Sequence, residues 1–518
     1  MSYAGRALVG MGSCGMAAGA ERVDEAVRRG AVTLGLQLEV EAVGCLGECH
    51  REVVLALERP GFPRLYYGPV DPEAVRKLLE GYFLHRRPYL MGVFAREGEG
   101  LPQVPELAAV LAGQSRRLLA NAGRIVPASL EEYQAVGGYR ALRAALRSES
   151  GELRREVAAA GLRGRSGSAF PTGTKWEAAM LTPGPRVVAV NADEGNPGTF
   201  GNRLLLEGDP HRVLEGAALA ALAVEADAIL IYVRHEYPLG RSRLEEALAA
   251  AQGAGLLGPD VLGTGRRLAV RVTGGAGAFI CGEETALLSS AEGRRGRPRL
   301  RPPYPAQRGY LGRPTVVHNV ETVANLPELI LRGAAWFRSV GTDQSPGTKI
   351  FSFAGRVARG GAVEVPLGTP LRRILALAGA EGARAVALGS PLGPVLAGAE
   401  LELPAAFEVR PELGTTVGSG GLLVAGEGDS VRELVLESLR MSRDESCGHC
   451  VPCREGLVRL VELVERRHGE ARIRALADLV RAASMCGLGQ GAPLPLLTAW
   501  ERFPEEFAPL ATRRREHA

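Results

Sequence analysis

Cys447, Cys450 and Cys453 stand in a C-x2-C-x2-C run, and Cys486 follows later in the stretch SMCGLG. Three closely spaced thiolates with a remote fourth form the ligand pattern of a [4Fe–4S] cube, a one-electron carrier. Zinc sites more often pair their cysteines as two separated C-x2-C arms, and a disulfide would leave two thiols over. The spacing favours the cube, with His449 as a neighbour and not a ligand.

A second group lies upstream. Residues 161–176 read GLRGRSGSAFPTGTKW, a strand follows over 186–190, and residues 191–202 read NADEGNPGTFGN. Loop glycines let backbone N–H groups approach a phosphate, and a helix N-terminus adds partial positive charge. Asn191, Asp193 and Glu194 fall where the carboxyl end of a strand meets a ligand crevice. The chain has 62 Lys plus Arg, yet Lys77, Lys175 and Lys349 are its only lysines. A compact ammonium in the glycine loop suits a phosphate or flavin, where a planar guanidinium is not equivalent. A further loop, GGAGAFICGEETAL over 274–287, enters a helix with Glu283 and Glu284 side by side. These acids could cap that helix, hydrogen-bond ribose hydroxyls or border a flavin. Cys281 reads as a small buried residue.

These groups need several elements to position them. A length of 518 predicts three or four domains, and 46% hydrophobic residues supply their cores. A net charge of +4 without a basic, aromatic-interleaved stripe gives no sign of nucleic-acid binding. The apolar run 217–223 is too short for a bilayer span, and residues 1–12 lack a signal-peptide pattern. A cytoplasmic protein without membrane insertion is expected. Clustered cysteines in a reducing compartment favour metal binding over disulfides.

Residues 1–86 predict a small α/β unit, with strands over 7–11 and 36–43, a helix over 17–29 and a hairpin at 52–57 and 64–67. Asp71 and Pro72 open another helix. Residues 87–114 read as a linker, with a helix over 105–120, and residues 131–147 as one helix. Helices over 210–224 and 241–251 alternate with strands over 186–190, 228–232 and 268–272, which is the pattern of a parallel Rossmann-like sheet. A hairpin at 349–357 and 362–365, a helix after Thr369 and a strand over 422–424 look β-grasp-like. From Asp429 onward the chain reads as helices over 430–441, 455–467, 472–483 and 496–507.

Together, GLRGR…FPTGTKW, NADEG.PGTF, GAGAFICGEETAL, RRG.PR, ESCGHCVPCREG and SMCGLG resemble the NADH-binding flavoprotein subunit of complex I. The same subunit type serves soluble NAD-linked formate dehydrogenases and hydrogenases. The likeness covers about residues 115–515. It implies an α/β multidomain protein: a thioredoxin-like domain over 1–86, a linker over 87–114 and a Rossmann-like FMN and NAD(H) domain over 115–333. A β-grasp (SLBB-type) domain over 334–426 and a helical [4Fe–4S] domain over 427–518 complete it. By the family's motifs, Arg165, Lys175, Asn191, Asp193, Glu194, Gly282, Glu283 and Asn319 hold FMN. Phe170, Glu284, Arg301 and Tyr304 meet the dinucleotide. Gly164, Ser166, Asn196, Phe279, Val317 and His318 complete the cofactor set, and the catalytic role falls to Glu283 and Glu284. A flavin takes an electron pair and passes electrons on singly, so a flavin beside a cluster gates two-electron to one-electron chemistry.

The departures are specific. Ser166, Ser168 and Ala169 stand where the family has Gly, Ala and Gly, and His318 replaces an Asn. Gly201-Asn202 replaces a Lys-Asp pair, and Arg301 replaces a Lys. Neutral Asn196 replaces an acid near the dinucleotide, which predicts weaker discrimination against the NADP(H) 2′-phosphate. Cys14 and the pair Cys45 and Cys49 resemble a thioredoxin-like [2Fe–2S] module, but Val9 occupies the fourth position, so a domain without a cluster is expected.

The reading that follows is the NAD(H)-oxidising subunit of a soluble molybdenum formate dehydrogenase. Its partners would be a small thioredoxin-like [2Fe–2S] subunit and a large iron–sulfur/molybdenum subunit. The fused first domain argues against complex I itself, and the lack of a cysteine-rich ferredoxin tail against a bifurcating hydrogenase. The alternatives are the equivalent subunit of an NAD(P)-linked hydrogenase or complex I, or an electron-transfer scaffold with weakened dinucleotide binding.

Overall fold

The computed structural model describes residues 4–408 and 417–508, so the expected domain limits at residues 1 and 518 lie outside them. The first sheet joins β1 (Ala4–Gly10), β2 (Gln37–Val43), β3 (Leu55–Arg59), β4 (Phe62–Tyr67) and β5 (Val93–Glu97), in the order β2-β1-β3-β4-β5. β1 and β2 run parallel, and the other pairs are antiparallel. The helix Ala20–Thr33 connects β1 to β2 and buries Val23, Val27 and Ala31, a single stripe at helical spacing.

Two expectations fail next to this sheet. β5 pairs Ala95 with Tyr66 and Arg96 with Leu65, so the supposed linker closes the first domain. Its flanking Gly and Pro residues hid a short strand. Residues 105–120 hold only the one-turn helix Leu107–Val110. Gly113 turns left-handed at φ +90°, and the N–H groups of Leu118 and Leu119 go to the Glu364 carboxylate at 2.8 and 3.0 Å. A tertiary acceptor thus takes the donors that a helix would use. The helix expected over 131–147 likewise splits into Leu130–Ala135 and Arg140–Ala145. Buried Glu215 accepts from the Tyr139 and Leu142 N–H groups at 2.9 and 3.0 Å and restarts the helix there.

The second sheet contains β6 (Arg186–Ala192), β7 (Ala226–Val233), β8 (Ala269–Gly274) and β9 (Thr315–Asn319), all parallel in the order β8-β7-β6-β9. The crossovers use the helices Pro210–Ala223 and Pro238–Gly253. Parallel strands need both faces covered. Val188 and Val190 of β6 enter one core with these helices, while Val187 and Ala189 enter another shared with the C-terminal helices. The chain moves outward from β6 to β8 and then returns to place β9 on the other side of β6. That reversal opens a crevice at the carboxyl ends of β6 and β9.

The third sheet is mixed: β10 (Thr348–Gly355), β11 (Ala362–Pro366), β12 (Ala385–Leu388), β13 (Val395–Ala397) and β14 (Gly421–Ala425), in the order β11-β10-β14-β12-β13. β10 and β14 are its parallel pair. β12 and β13 were not expected, being too short to show a period. Helices Val431–Asp444, Val451–Glu465, Glu470–Ala483, Gly487–Gly491, Leu494–Arg502 and Pro504–Phe507 follow. The expected final helix breaks at Phe503, ahead of Pro504. The described chain is a mixed α/β protein with C-terminal helices. None of its described helices is long and apolar enough to cross a membrane.

Candidate functional site

Asn191 is the penultimate residue of β6, and its side chain bridges the crevice. Its Nδ2 donates to the Gly282 carbonyl at 2.8 Å while its Oδ1 accepts from the Asp193 N–H at 3.0 Å. The second glycine loop is thereby tied to the first strand. Lys175, on the helix Thr172–Met180, donates to the Val317 carbonyl at 3.0 Å and lies 3.7 Å from Glu284. Glu284 receives Arg301 at 3.1 Å, and Phe170 is 46% exposed with its ring 6.0 Å from the Lys175 ammonium. Lys175, Glu284, Arg301 and Phe170 are therefore brought together. Tyr304 is 54% exposed.

Other expected residues are spent on structure. Arg165 is fully buried, and its guanidinium donates to the carbonyls of Arg163, Pro346 and Thr348 at 2.7, 2.9 and 3.2 Å. It pins the glycine loop to β10, with its guanidinium N–H groups taken by backbone carbonyls. Glu194 accepts from the Asn202 and Arg203 N–H groups at 2.9 and 3.1 Å and from Tyr237 at 3.2 Å. It therefore caps the helix Gly201–Gly208. His318 lies in the core, accepting from the Trp176 indole at 2.7 Å, and burial pushes it down to about 3. It stays neutral and turns away from the ligand role expected of it. Glu283 takes the capping alternative: one of its oxygens accepts from the Thr285 and Ala286 N–H groups, each at 2.9 Å. The other lies 3.8 Å from Arg301. The capping oxygen is committed to the helix, and the second oxygen makes only this longer approach. Asn319 caps the helix Val320–Ala324 by accepting from Glu321 N–H at 2.8 Å, and Val317 contributes its carbonyl.

The glycine loop closes by Gly164 N–H to the Phe170 carbonyl at 2.9 Å, with Ser166 exposed at its tip. Ala169 adopts φ +51°, the left-handed region where the family's glycine costs nothing and an alanine costs about 1–2 kcal/mol. Asn196 donates to the Gly389 carbonyl at 3.2 Å, which ties its loop to the third sheet. The Phe279 N–H donates to Glu445 at 2.9 Å. Glu445 and Arg234 were missed by sequence reasoning. Glu445 opens the ESCGHC motif itself, and Arg234 follows the carboxyl end of β7, donating to the Glu194 carbonyl.

Asp193 sits beside this crevice, where burial lifts its carboxyl to about 7 against the pull of Arg234. In the unfolded chain it titrates near 3.8. The folded ligand-free chain therefore holds this proton more tightly. That stabilising contribution is complete below about pH 4 and is lost as the pH rises toward 7. In the flavin-free protein, Asp193→Asn is expected to remove this slope. Unfolding free energies from urea titrations of wild type and variant, compared from pH 4 to 8, should diverge by on the order of a few kcal/mol.

The four cysteines surround two helix starts: Cys450 caps Val451–Glu465 and Cys486 caps Gly487–Gly491. Helix N-termini favour thiolates. Cys453 and Cys486 are 5% exposed. Burial pushes the Cys453 thiol up to about 11, and Cys450, Cys486 and Cys447 add their repulsion. Burial also raises Cys486, with Glu283 and Cys447 acting on it in the same direction. One apolar patch thus gathers four sulfurs that repel one another as thiolates, the environment that an iron–sulfur core neutralises. Two contacts join this patch to the crevice side: Phe279 N–H donates to Glu445 at 2.9 Å, and Arg295 donates to the Cys447 carbonyl at 3.3 Å.

The comparisons with known proteins agree with this geometry. Residues 157–328 match the Nuo51 FMN-binding domain, and residues 433–509 match the NADH-ubiquinone oxidoreductase-F iron–sulfur binding region. The NADP-reducing hydrogenase subunit HndC of Solidesulfovibrio fructosivorans is 40% identical, over 76% of this chain and 83% of that protein. An NADH-quinone oxidoreductase subunit of Aquifex aeolicus is also 40% identical, over 73% of this chain and 90% of that protein. The chain belongs to the family of FMN- and [4Fe–4S]-binding subunits of complex I-type NADH oxidoreductases. A crystal structure of an NAD+-reducing [NiFe]-hydrogenase in the H2-reduced state superposes with a TM-score of 0.68 at 29% identity, covering 97% of this chain and 83% of that one. As in this family, the chain is an FMN-dependent NADH oxidoreductase with a [4Fe–4S] cluster. The residues present fit these groups: an ammonium and a glycine loop at a strand-switch crevice for FMN, and four buried or half-buried thiols for the cluster.

Proposed function

We propose that this chain is the diaphorase subunit of a soluble, multi-subunit, NAD-linked formate dehydrogenase. The observation that carries the diaphorase reading is the contact between the crevice's second glycine loop and the segment that opens the cysteine run, where Phe279 N–H donates to Glu445 at 2.9 Å. FMN supplies the conversion between an electron pair and single electrons. Lys175 and the loop 161–171 hold its phosphate end, Asn191 and Gly282 fix the crevice wall, and Asp193 lies along it. Glu284, Arg301, Phe170 and Tyr304 orient the dinucleotide. Cys447, Cys450, Cys453 and Cys486 would hold a [4Fe–4S] cluster, which would supply one-electron chemistry there. The parallel pair β10/β14 with the helix Leu371–Leu377 supports reading the third sheet as a β-grasp (SLBB-type) domain.

The fused first domain favours a soluble NAD-linked enzyme over complex I, and formate is the terminal substrate proposed for it. Its partners are then a thioredoxin-like [2Fe–2S] subunit and a molybdenum-bearing catalytic subunit, in the cytoplasm. A hydrogenase is the second reading, supported by a likeness to the [NiFe]-hydrogenase structure that extends through the first domain. Affinity purification of the tagged chain from its native cell decides between them. Formate-dependent NAD+ reduction with molybdenum in the complex supports the first reading, and H2-dependent reduction with nickel supports the second.

The neutral Asn196 side chain, fixed on Gly389, does not itself repel a 2′-phosphate. The relative named an NADP-reducing hydrogenase subunit fits this reading. The kcat/KM for NADPH is expected within about a hundredfold of that for NADH, and Asn196→Glu should widen the gap about tenfold (~1.4 kcal/mol). A wild-type gap of many orders of magnitude contradicts this.

A further inference from the structure

The first domain carries three thiols that the cofactor crevice does not use. Cys14 stands in the helix Ser13–Ala18 after β1, and Cys45 and Cys49 lie in the loop after β2. Cys14 Sγ lies 3.2 Å from Cys49 Sγ, and Cys49 Sγ lies 3.7 Å from Cys45 Sγ. Cys14 and Cys49 are half-buried, whereas Cys45 is buried. The 3.2 Å approach is shorter than the edge of about 3.8 Å that two sulfurs span around a tetrahedral zinc. A modest side-chain rotation would bring it to a disulfide bond, about 2.05 Å long.

The second domain contributes a cation to this group. Arg203, on the helix Gly201–Gly208, donates to Cys14 Sγ at 3.4 Å, and its N–H donates to the Glu194 carboxylate at 3.1 Å. Ser13 N–H donates to Glu207 on the same helix at 2.8 Å, so the thiol turn is docked onto the segment that borders the crevice. Hydrogen bonds from Cys45 and Cys49 hold the Cys14 thiol well below its usual range, and Arg203 acts in the same direction. Their hydrogen bonds with Cys14 hold Cys45 and Cys49 up, and burial and Glu52 act in the same direction. The group therefore holds one favoured thiolate beside two thiols.

We infer that Cys14 and Cys49 form a redox-active dithiol that exchanges with low-molecular-weight disulfides at the junction of the first two domains. In the exchange the Cys14 thiolate attacks one sulfur of the small disulfide. A mixed disulfide forms, and the other half leaves as a thiolate. Cys49 gives its proton to that thiolate and attacks Cys14 Sγ, expelling the second small thiolate. Two electrons pass from the protein sulfurs to the small disulfide, and one S–S bond is gained for the one lost. Arg203 positions the attacking thiolate, and Cys45 remains a thiol throughout.

The test equilibrates the purified full-length protein in anaerobic buffers of stepped glutathione to glutathione-disulfide ratio, followed by acid quench, alkylation and peptide mapping. Flavin and cluster absorbance report that each variant is folded. The expected result is a Cys14–Cys49 link that appears at oxidising ratios and reverses at reducing ones. It should persist in Cys45→Ser and vanish in Cys14→Ser and Cys49→Ser. Arg203→Gln should slow alkylation of Cys14 at pH 7 about tenfold or more. Three thiols alkylated at every ratio would overturn the proposal, as would a Cys45–Cys49 link. Zinc, or iron beyond the four of the cube, that is lost in Cys14→Ser would overturn it in favour of a metal site.

Discussion

Cys486→Ser is expected to remove the [4Fe–4S] cluster while leaving flavin in place. Cys486 is the proposed ligand from far along the chain, and it stands at the N-terminus of the helix Gly487–Gly491 that packs on Glu470–Ala483. A serine hydroxyl at this buried position is a poor iron ligand, and the other three cysteines sit together around one helix start. Iron content should fall to near zero, and the EPR signal of the reduced cluster should vanish. NADH-driven electron delivery beyond the flavin should drop on the order of a hundredfold or more, because the exit carrier is gone. NADH should still bleach the flavin band, since Lys175, Asn191 and Glu284 are untouched. The helices should also loosen, because a cluster that joins distant segments contributes to folding. A variant that keeps four irons per chain would remove Cys486 from the ligand set.

Glu321→Ala is expected to be the most damaging substitution to stability outside the cysteines. Glu321 follows β9 and is 1% exposed. One of its carboxylate oxygens meets the ammonium of Lys349, itself 1% exposed, and the other accepts from Ile350 N–H at 3.0 Å. The pair clamps β10 to the helix beside the crevice. Removing only the acid leaves an ammonium buried without its partner, which costs about 3–5 kcal/mol. Replacing both partners, as in Glu321→Leu with Lys349→Met, should cost much less, because no charge is then stranded. Urea midpoints followed by flavin release would show the ordering. Equal loss in the single and double variants would contradict the clamp.

The parts of this architecture that can be read from sequence are those whose information is local. The C-x2-C-x2-C run states its chemistry in seven residues, and the apolar strands of the second sheet alternate with long helices in a legible rhythm. The glycine loops announced a crevice, and β6 and β9 supply its topological reason. Where reading failed, a distant residue had intervened. Glu364 draws off the Leu118 and Leu119 donors, and Glu215 interrupts residues 131–147. At the site, residue type was legible and side-chain direction was not. Arg165, Glu194 and His318 all carry chemistry-capable groups, but their partners are backbone carbonyls, backbone N–H groups and an indole. Glu283 could cap or contact a ligand on sequence alone, and the helix that starts beside it settles the choice for one of its oxygens.

Anaerobic titration of the purified protein with NADH, following the visible flavin band and the cluster EPR signal together, tests the path from dinucleotide through FMN to cluster. Rapid bleaching accompanied by the signal of a reduced [4Fe–4S] cluster is the predicted result. A flavin that stays oxidised with NADH and NADPH yet bleaches with dithionite would contradict it, and would make the chain an electron-transfer scaffold.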